Sequence, residues 1–283
     1  MILARIIKDS LSPGEVRLTT FVLTYPRFFH SEFLTHRMFS RNASSSRAIP
    51  VSKQIQMIKD NPVIPLKFLE NKKGMQGGDP IANQQEATDV WLNGRDKAVE
   101  IANQLMQMNV SKQYVNRILE PWAHITVICS ATDYNNFFAL RVHPDAQPEI
   151  CELATKMHNL YSANQPDILL EGEWHLPFLT KREVEHVNQN PLIMDKDKTL
   201  IKMSVARCAR VSYLTHEGKV PSLKEDLELY DRLLGKIPIH ASPAEHQARA
   251  LNDSNFKSGN FTGWEQYRKT LPNENITNFK EIK

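Results

Sequence analysis

Thr35-His36-Arg37-Met38-Phe39-Ser40-Arg41-Asn42-Ala43-Ser44-Ser45-Ser46-Arg47 holds the densest chemistry of this 283-residue chain. Cationic side chains at His36, Arg37, Arg41 and Arg47 are interleaved with Ser40, Asn42, Ser44, Ser45 and Ser46. That donor set is what an anionic ligand requires: guanidinium offers a planar fork that suits phosphate, and serine serves the remaining oxygens. Phe28, Phe29, Phe33 and Leu34 just upstream anchor the segment to a core. Taken alone, the segment reads equally well as a polar helix end running into a solvated, serine-rich loop.

Working outward, residues 16–25 alternate and are rich in β-branched and aromatic side chains, which predicts a strand. Pro26 suits a first helical turn. Phe29, Phe33, His36 and Arg37 then recur at helical spacing to about Phe39, with His36 and Arg37 on the last turn and a loop to Arg47. Ser52 is the expected cap of a helix through Lys59, residues 63–69 read as a short strand, and 74–78 as a loop. A long helix is expected over 84–108, and a second, capped by Ser111, ends before Pro121. Residues 124–129 are β-like. Helices are expected over 135–142, with Phe138 and Arg141 close on one surface, and over 146–160, 200–211 and 223–234. One domain with an excursion near 166–197 accommodates these elements.

The bulk composition excludes several classes. Hydrophobic content of 41% and charge of 24% are ordinary for a globular protein. A net charge of +3, from 35 basic and 32 acidic residues, gives no reason to prefer nucleic acid. The three cysteines, Cys129, Cys151 and Cys208, are distant in sequence and form no CxxC pair. They read as small core residues in a reducing compartment. No segment reaches the ~20 apolar residues of a membrane span, and a soluble cytoplasmic protein is expected. With 10 glycines and no glycine-rich phosphate loop, any cofactor has to be held by side chains. No metal site is expected.

The opening segment resembles the signature of the flavin-dependent thymidylate synthases: His36-Arg37, seven residues, Ser45, then Arg47. Asn116-Arg117-Ile118-Leu119-Glu120-Pro121 is similar to that family's arginine–leucine–proline segment. Asn136-Phe137-Phe138-Ala139-Leu140-Arg141 resembles its Asn-Phe-x-x-Leu-Arg helix, and Ala146-Gln147-Pro148-Glu149-Ile150 its Ala-Gln-x-Glu-Ile segment. Ala209-Arg210-Val211-Ser212-Tyr213 and His240-Ala241-Ser242-Pro243-Ala244-Glu245-His246 look like stretches that precede the signature in the family, yet here they follow it. The resemblance therefore implies an α+β fold with exchanged segment order, a circular permutant with a mixed, mainly antiparallel sheet flanked by helices. The parts would be 1–160 (signature and nucleotide binding), 161–198 (excursion), 199–247 (the family's N-terminal equivalent) and 248–283 (extension).

The resemblance implies synthesis of dTMP from dUMP, with methylenetetrahydrofolate giving the carbon, reduced FAD the hydride, and NADPH reducing the flavin. It places Ser45, Arg47 and Arg117 at the nucleotide phosphate and Arg141 at the pyrimidine, as the catalytic guanidinium. It places His36, Arg37, Asn136, Ser212, Ser242 and Glu245 at the flavin, and it implies a homotetramer. Ser242-Pro243-Ala244-Glu245 is also a capping-box pattern. The departures are specific: Thr35 replaces an arginine, Ala43 a glutamate, Glu32 a glutamine, Ser130 an asparagine, Thr132 an arginine and Asp145 a histidine. Arg41, Arg210 and Arg268 are the cations that could compensate. The losses open an alternative, a folate-dependent hydroxymethylase acting on dUMP or dCMP with reduced or lost flavin dependence. A nucleic-acid or nucleotide binding protein is the reading from another class, with Phe261–Lys269 stacking bases, against a docked segment whose Trp264 and Tyr267 fill a groove.

Overall fold

In a computed structural model, which describes residues 1–74, 76–211 and 221–277, the chain opens with a hairpin of β1 (Leu3–Leu11) and β2 (Arg17–Pro26). A 3-10 turn leads into α1 (His30–Leu34), followed by β3 (Ser40–Ala43) and α2 (Val51–Asp60). Next come α3 (Gln84–Gln107), α4 (Lys112–Ile118), β4 (His124–Ala131), α5 (Asn135–Arg141) and α6 (Pro148–Ala163). The rest holds β5 (Asp167–Ile168), β6 (Trp174–His175), α7 (Lys181–Gln189), α8 (Lys196–Arg210) and α9 (Leu223–Leu234). It ends with β7 (Ala248–Ala250), β8 (Lys257–Ser258), β9 (Phe261–Thr262), β10 (Trp264–Gln266) and α10 (Tyr267–Thr270).

The main sheet has five strands in the order β3-β4-β2-β1-β5, antiparallel except for the β1–β5 pair. The expected α+β class with a mixed, mainly antiparallel sheet is therefore found. Because side chains alternate along a strand, the register sorts them into two faces. On one face Arg41, Cys129 and Phe21 align, and next to them Ala43, Val127 and Leu23. This face is the main core, where Phe21, Leu23, Tyr25, Phe29, Phe33 and Phe39 meet Tyr134, Phe137, Leu153 and Met157 of α5, α6 and their approach. On the other face Ser40, Ser130 and Thr20 align across three strands, followed by Asn42, Ile128 and Val22.

That hydroxyl-rich face is covered by the C-terminal half of the chain. His175 of β6 bridges Ser10 (2.9 Å) and Thr20 (2.8 Å), Thr20 bonds Ser130 (2.7 Å), and Ser130 bonds His246 Nδ1 (2.8 Å). All five side chains are fully buried. Asn42 donates to the Cys208 carbonyl of α8 (2.9 Å), and Gln266 of β10 donates to Ser40 Oγ (3.0 Å). Trp264 is buried and donates to the Val16 carbonyl, while Tyr267 bonds Tyr230 (2.6 Å). The docked reading of the 261–269 segment thus holds, and its rings are not offered to bases.

Several expectations are corrected. The helix expected to reach Phe39 stops at Leu34, because Arg41 Nη1 takes the carbonyls of Phe33, Leu34 and His36, which close the helix end. His36 and Arg37 consequently sit on a turn, and Leu34 is exposed rather than anchoring. Ser40–Ala43, read as loop, is an edge strand that pairing with β4 creates. Ser52 lies inside α2, whose cap is Pro50, and Ser111 caps α4 by position without a side-chain bond. Residues 63–69 form no strand beyond one bridge between Leu69 and Pro80. Cys129 and Cys208 are core residues, whereas Cys151 is half-buried. Among the described residues, no helix is long and apolar enough to cross a membrane.

Candidate functional site

The signature supplies two polar groups, one at each end of β3. The first forms where the turn after α1 meets the end of α5. Arg141 Nε donates to His36 Nε2 at 3.1 Å. Burial, with Arg141 and Arg41 nearby, brings His36 down to about 4, so at neutral pH it is an uncharged acceptor. The ring is braced by Phe137 (4.8 Å, edge to face) and Phe39 (5.9 Å, stacked). Arg141 therefore has one nitrogen fixed and its two terminal nitrogens without a partner among the described residues. Such a guanidinium can stabilise charge that develops on an oxygen.

Glu245 lies within the electrostatic reach of Arg41, the arginine that braces the His36 turn. Arg268 of α10 pairs with Glu245 and with Glu274 (2.9 Å). Burial raises the Glu245 carboxyl, and Arg268 and Arg41 act against that rise. The capping box expected at Ser242 and Glu245 does not form. The segment is a 3-10 turn with no side-chain cap, because the Glu245 carboxylate is taken by Arg268. It presents no helix N-terminus to a cofactor. Ser242 is exposed, as are Arg37 and Asn136; Ser212 lies outside the described residues.

The second group is built on Glu120. Its Oε1 accepts from Ser46 Oγ (2.8 Å), Arg27 Nε (3.0 Å) and Arg117 Nη1 (2.9 Å). Asn116, fully buried, donates to the Ser46 and Ile49 carbonyls. These bonds fix the backbone around Ser45, which is half-buried, and Arg47, which is exposed. One carboxylate thus gathers two guanidiniums beside a held serine loop, an arrangement suited to an anion. His30 stands between the groups. It bonds Tyr25 Oη (2.8 Å), and burial together with Arg27 and Arg41 brings it down to about 4.

Within one chain, Glu120 ties Arg117 to Ser46, which stands between Ser45 and Arg47 in sequence, and Arg141 bonds His36. The two sets have different partners, and no hydrogen bond joins them among the described residues. Arg27 and Glu120 escaped sequence reasoning as site residues; Glu120 was legible only as part of the Asn116–Pro121 segment. Cys129 and Cys208 are poor candidates for a thiol nucleophile, since burial pushes Cys129 up to about 12 and raises Cys208 as well.

The positions implied for FAD divide. Arg37 and Asn136 are open to a ligand. Ser130, however, is fully buried against Thr20 and His246, and Thr132 Oγ1 accepts from the Thr262 amide (3.3 Å). The chain's own C-terminal segment thus occupies the surface at two of the substituted positions. The fit to a flavin is incomplete, and the residues do not assign one.

Among solved structures, the UMP/dUMP methylase PolB of Streptomyces cacaoi bound with 5-Br UMP is 15% identical, with a TM-score of 0.45, over 57% of this chain and 89% of that one. The same enzyme bound with 5-Br dUMP gives 14% identity and a TM-score of 0.45 over 57% and 90%. No curated protein sequence matches the chain. A family model matches residues 2–167, which run through the hairpin, both polar groups' signature segments and α6; with more than half its length inside that match, the chain belongs to the thymidylate synthase complementing protein family.

Proposed function

We propose that the protein methylates a pyrimidine mononucleotide, converting dUMP to dTMP with methylenetetrahydrofolate as carbon donor. One observation carries the reading beyond family membership: a guanidinium, Arg141, oriented by a neutral His36 with its outer nitrogens open. Ser45, Arg47 and Arg117 are assigned to the phosphate and Arg141 to the ring. As carbon 5 of the pyrimidine bonds to the methylene carbon, charge builds on the ring carbonyl oxygen. Donors fixed in advance at that oxygen lower the barrier without reorganising. Glu120 keeps Arg117 and the Ser45 loop in place, so the nucleotide is oriented by charge already ordered. Bound FAD would supply the hydride that completes the methyl group, recharged by NADPH, and Arg37 and Asn136 are the open residues that would hold it.

The two groups lie apart in one chain, so a homotetramer that shares residues between subunits belongs to the same proposal. So does the exchanged segment order. The 199–247 part lies outside the family match and joins the signature strand through Asn42 and the Cys208 carbonyl. A second reading is favoured by the covered Ser130 and Thr132: a hydroxymethylase on dUMP or dCMP, in which water captures the methylene intermediate instead of hydride. Product mass after incubation of the full chain with dUMP or dCMP, methylenetetrahydrofolate, FAD and NADPH separates the two. A methyl gain that requires FAD supports the first, and a hydroxymethyl gain without FAD supports the second. Unchanged nucleotides in every combination overturn both.

A further inference from the structure

The helix α3 has two apolar sides, and the fold of one chain covers only the first. Ala98, Val99 and Ala102 are buried in a cluster shared with α2 and α4. The second side faces outward: Val90 is 66% exposed, Ile101 47%, and Met108, the C-cap of the helix, 72%. Val90 and Met108 stand about five turns apart at about 3.6 residues per turn, so they share one line about 27 Å long, with Ile101 within about 20° of it. Gly94 and Lys97 fill the turns between Val90 and Ile101, which gives the alternating spacing of a helix seam. Among the described residues this stripe has no cover.

The two ends of the stripe complement each other. At the Val90 end a groove of about 650 Å³ is walled by Phe68, Ile81, Trp91 and Trp122. Trp91 and Trp122 spend their indole N–H groups on the Val63 and Trp91 carbonyls, and the polar Asn83 and Glu86 of the rim bond each other. The groove therefore asks for an apolar occupant. At the other end Met108 carries an unbranched, flexible side chain of the kind that fills irregular apolar space. A two-fold axis at the middle of α3 reverses one copy on another and brings each Met108 to the other copy's groove, an isologous contact. The charges select that direction. In a parallel pair Lys97 faces Lys97 of the second copy. In an antiparallel pair it lies along Ile101 of the second copy, beside a Glu100 like the one it already pairs with in its own chain at 3.2 Å. Glu86 and Glu100, on the flank of the stripe, then meet Gln107 and Asn93 rather than carboxylates.

We propose that two copies of this chain pair through antiparallel α3 helices, each Met108 entering the groove beside Val90 and Trp122 of the other. The pairing does not rest on the reaction proposed above, because it is read without nucleotide. Sedimentation equilibrium of the full chain tests it, together with cross-linking by a short bismaleimide that spans a helix pair but not the length of one helix. Self-association is expected, and Ile101→Asp should weaken it by at least about a hundredfold, since the symmetry buries two unpaired carboxylates in each pair. The double variant Val90→Cys/Met108→Cys should give two-chain products, and each single variant no more than the wild-type chain, in which Cys129 and Cys208 are buried and Cys151 is half-buried. The cross-link decides the matter if Ile101→Asp fails to fold. Cross-linking of Val90→Cys alone means a parallel pair and overturns the proposal. So does association that Ile101→Asp leaves unchanged, which places the contact on another surface. A chain that stays monomeric overturns it as well, whether Val90→Cys is shielded from alkylation by the chain's own segments or open to a different protein.

Discussion

The two faces of the main sheet are held by opposite physics. One is a continuous apolar core in which Phe21, Tyr25, Phe29, Phe33 and Phe39 pack on the aromatic residues of α5 and its approach. The other carries a row of hydroxyls, Ser40, Ser130 and Thr20, tied to two buried histidines and a glutamine, with Asn42 beside them bonded to the Cys208 carbonyl. Burial on the first face is non-directional and tolerates sliding, whereas each bond on the second face fixes one atom against one partner. The apolar face supplies the free energy of folding, and the polar face sets where the C-terminal half sits relative to the signature strand. The alternation of β3 joins them: Arg41 turns toward the first face's rim and braces the His36 turn, while Ser40 and Asn42 turn to the second.

The largest expected effect breaks the first face. Phe21→Ala removes a fully buried ring that meets Tyr134 edge to face at 5.4 Å, and should cost about 3–5 kcal/mol in urea unfolding. If Ser130→Ala costs more than Phe21→Ala, the division of labour between the faces is reversed. Next comes the site that the apolar face positions. Arg141→Ala should lower kcat by about 10²–10³-fold, ~2.7–4 kcal/mol, with little change in melting temperature because its side chain sits at a helix end. A variant that retains turnover removes Arg141 from the chemistry.

The contrast also explains what was legible in the sequence. Apolar packing announces itself: residues 16–25 of the main core alternate, and the helices at 84–107 and 223–234, which pack in separate clusters, carry apolar periodicity that needs no partner to be seen. The polar face is silent. Ser40-Arg41-Asn42-Ala43 has loop composition and becomes a strand only because β4 lies beside it. β6 likewise depends on distant pairing, with Trp174 opposite Arg249 and His175 opposite Ala248. Of the site, Arg141, Arg117 and the Ser45–Arg47 loop were readable as a motif. Glu120 as the hub of Arg27, Arg117 and Ser46 was not, because Arg27 and Glu120 are 93 positions apart and meet only through the fold.

Acid should distinguish the faces more finely. Burial brings His246 down to about 3 and places His175 well below its ordinary value, and both belong to the hydroxyl row. The unfolded chain binds these protons near the ordinary histidine value of 6.5 and the folded chain does not. Their stability contribution is therefore complete above about pH 6.5 and declines as pH falls toward 3, by up to about 1.4 kcal/mol per pH unit for each histidine. Urea midpoints at successive pH values should show this slope, and His246→Leu should flatten it. A slope unaffected by that change removes His246 from the acid sensitivity and leaves it to His175, His124, His30 and His36, all held below the ordinary histidine value by burial.

The smallest effect is expected at Gln266, and it isolates position from stability. Its side-chain nitrogen donates to Ser40 Oγ at 3.0 Å and to the Glu245 carbonyl at 3.1 Å, so one amide spans the signature strand and the Glu245 turn. Gly259, with φ of 60°, gives it room, since a Cβ there would strike Gln266 Oε1. Gln266→Leu keeps the volume and removes both bonds, which should cost about 2 kcal/mol of stability. Leucine leaves the neighbouring Trp264 anchor and the Tyr230–Tyr267 bond intact, so the C-terminal half stays docked while its registry against β3 loosens. Turnover should then fall by more than the stability change accounts for at a temperature well below unfolding. A variant with the expected loss of stability and full turnover would mean that the polar face serves folding alone, and that the site is completed by the signature half of the chain.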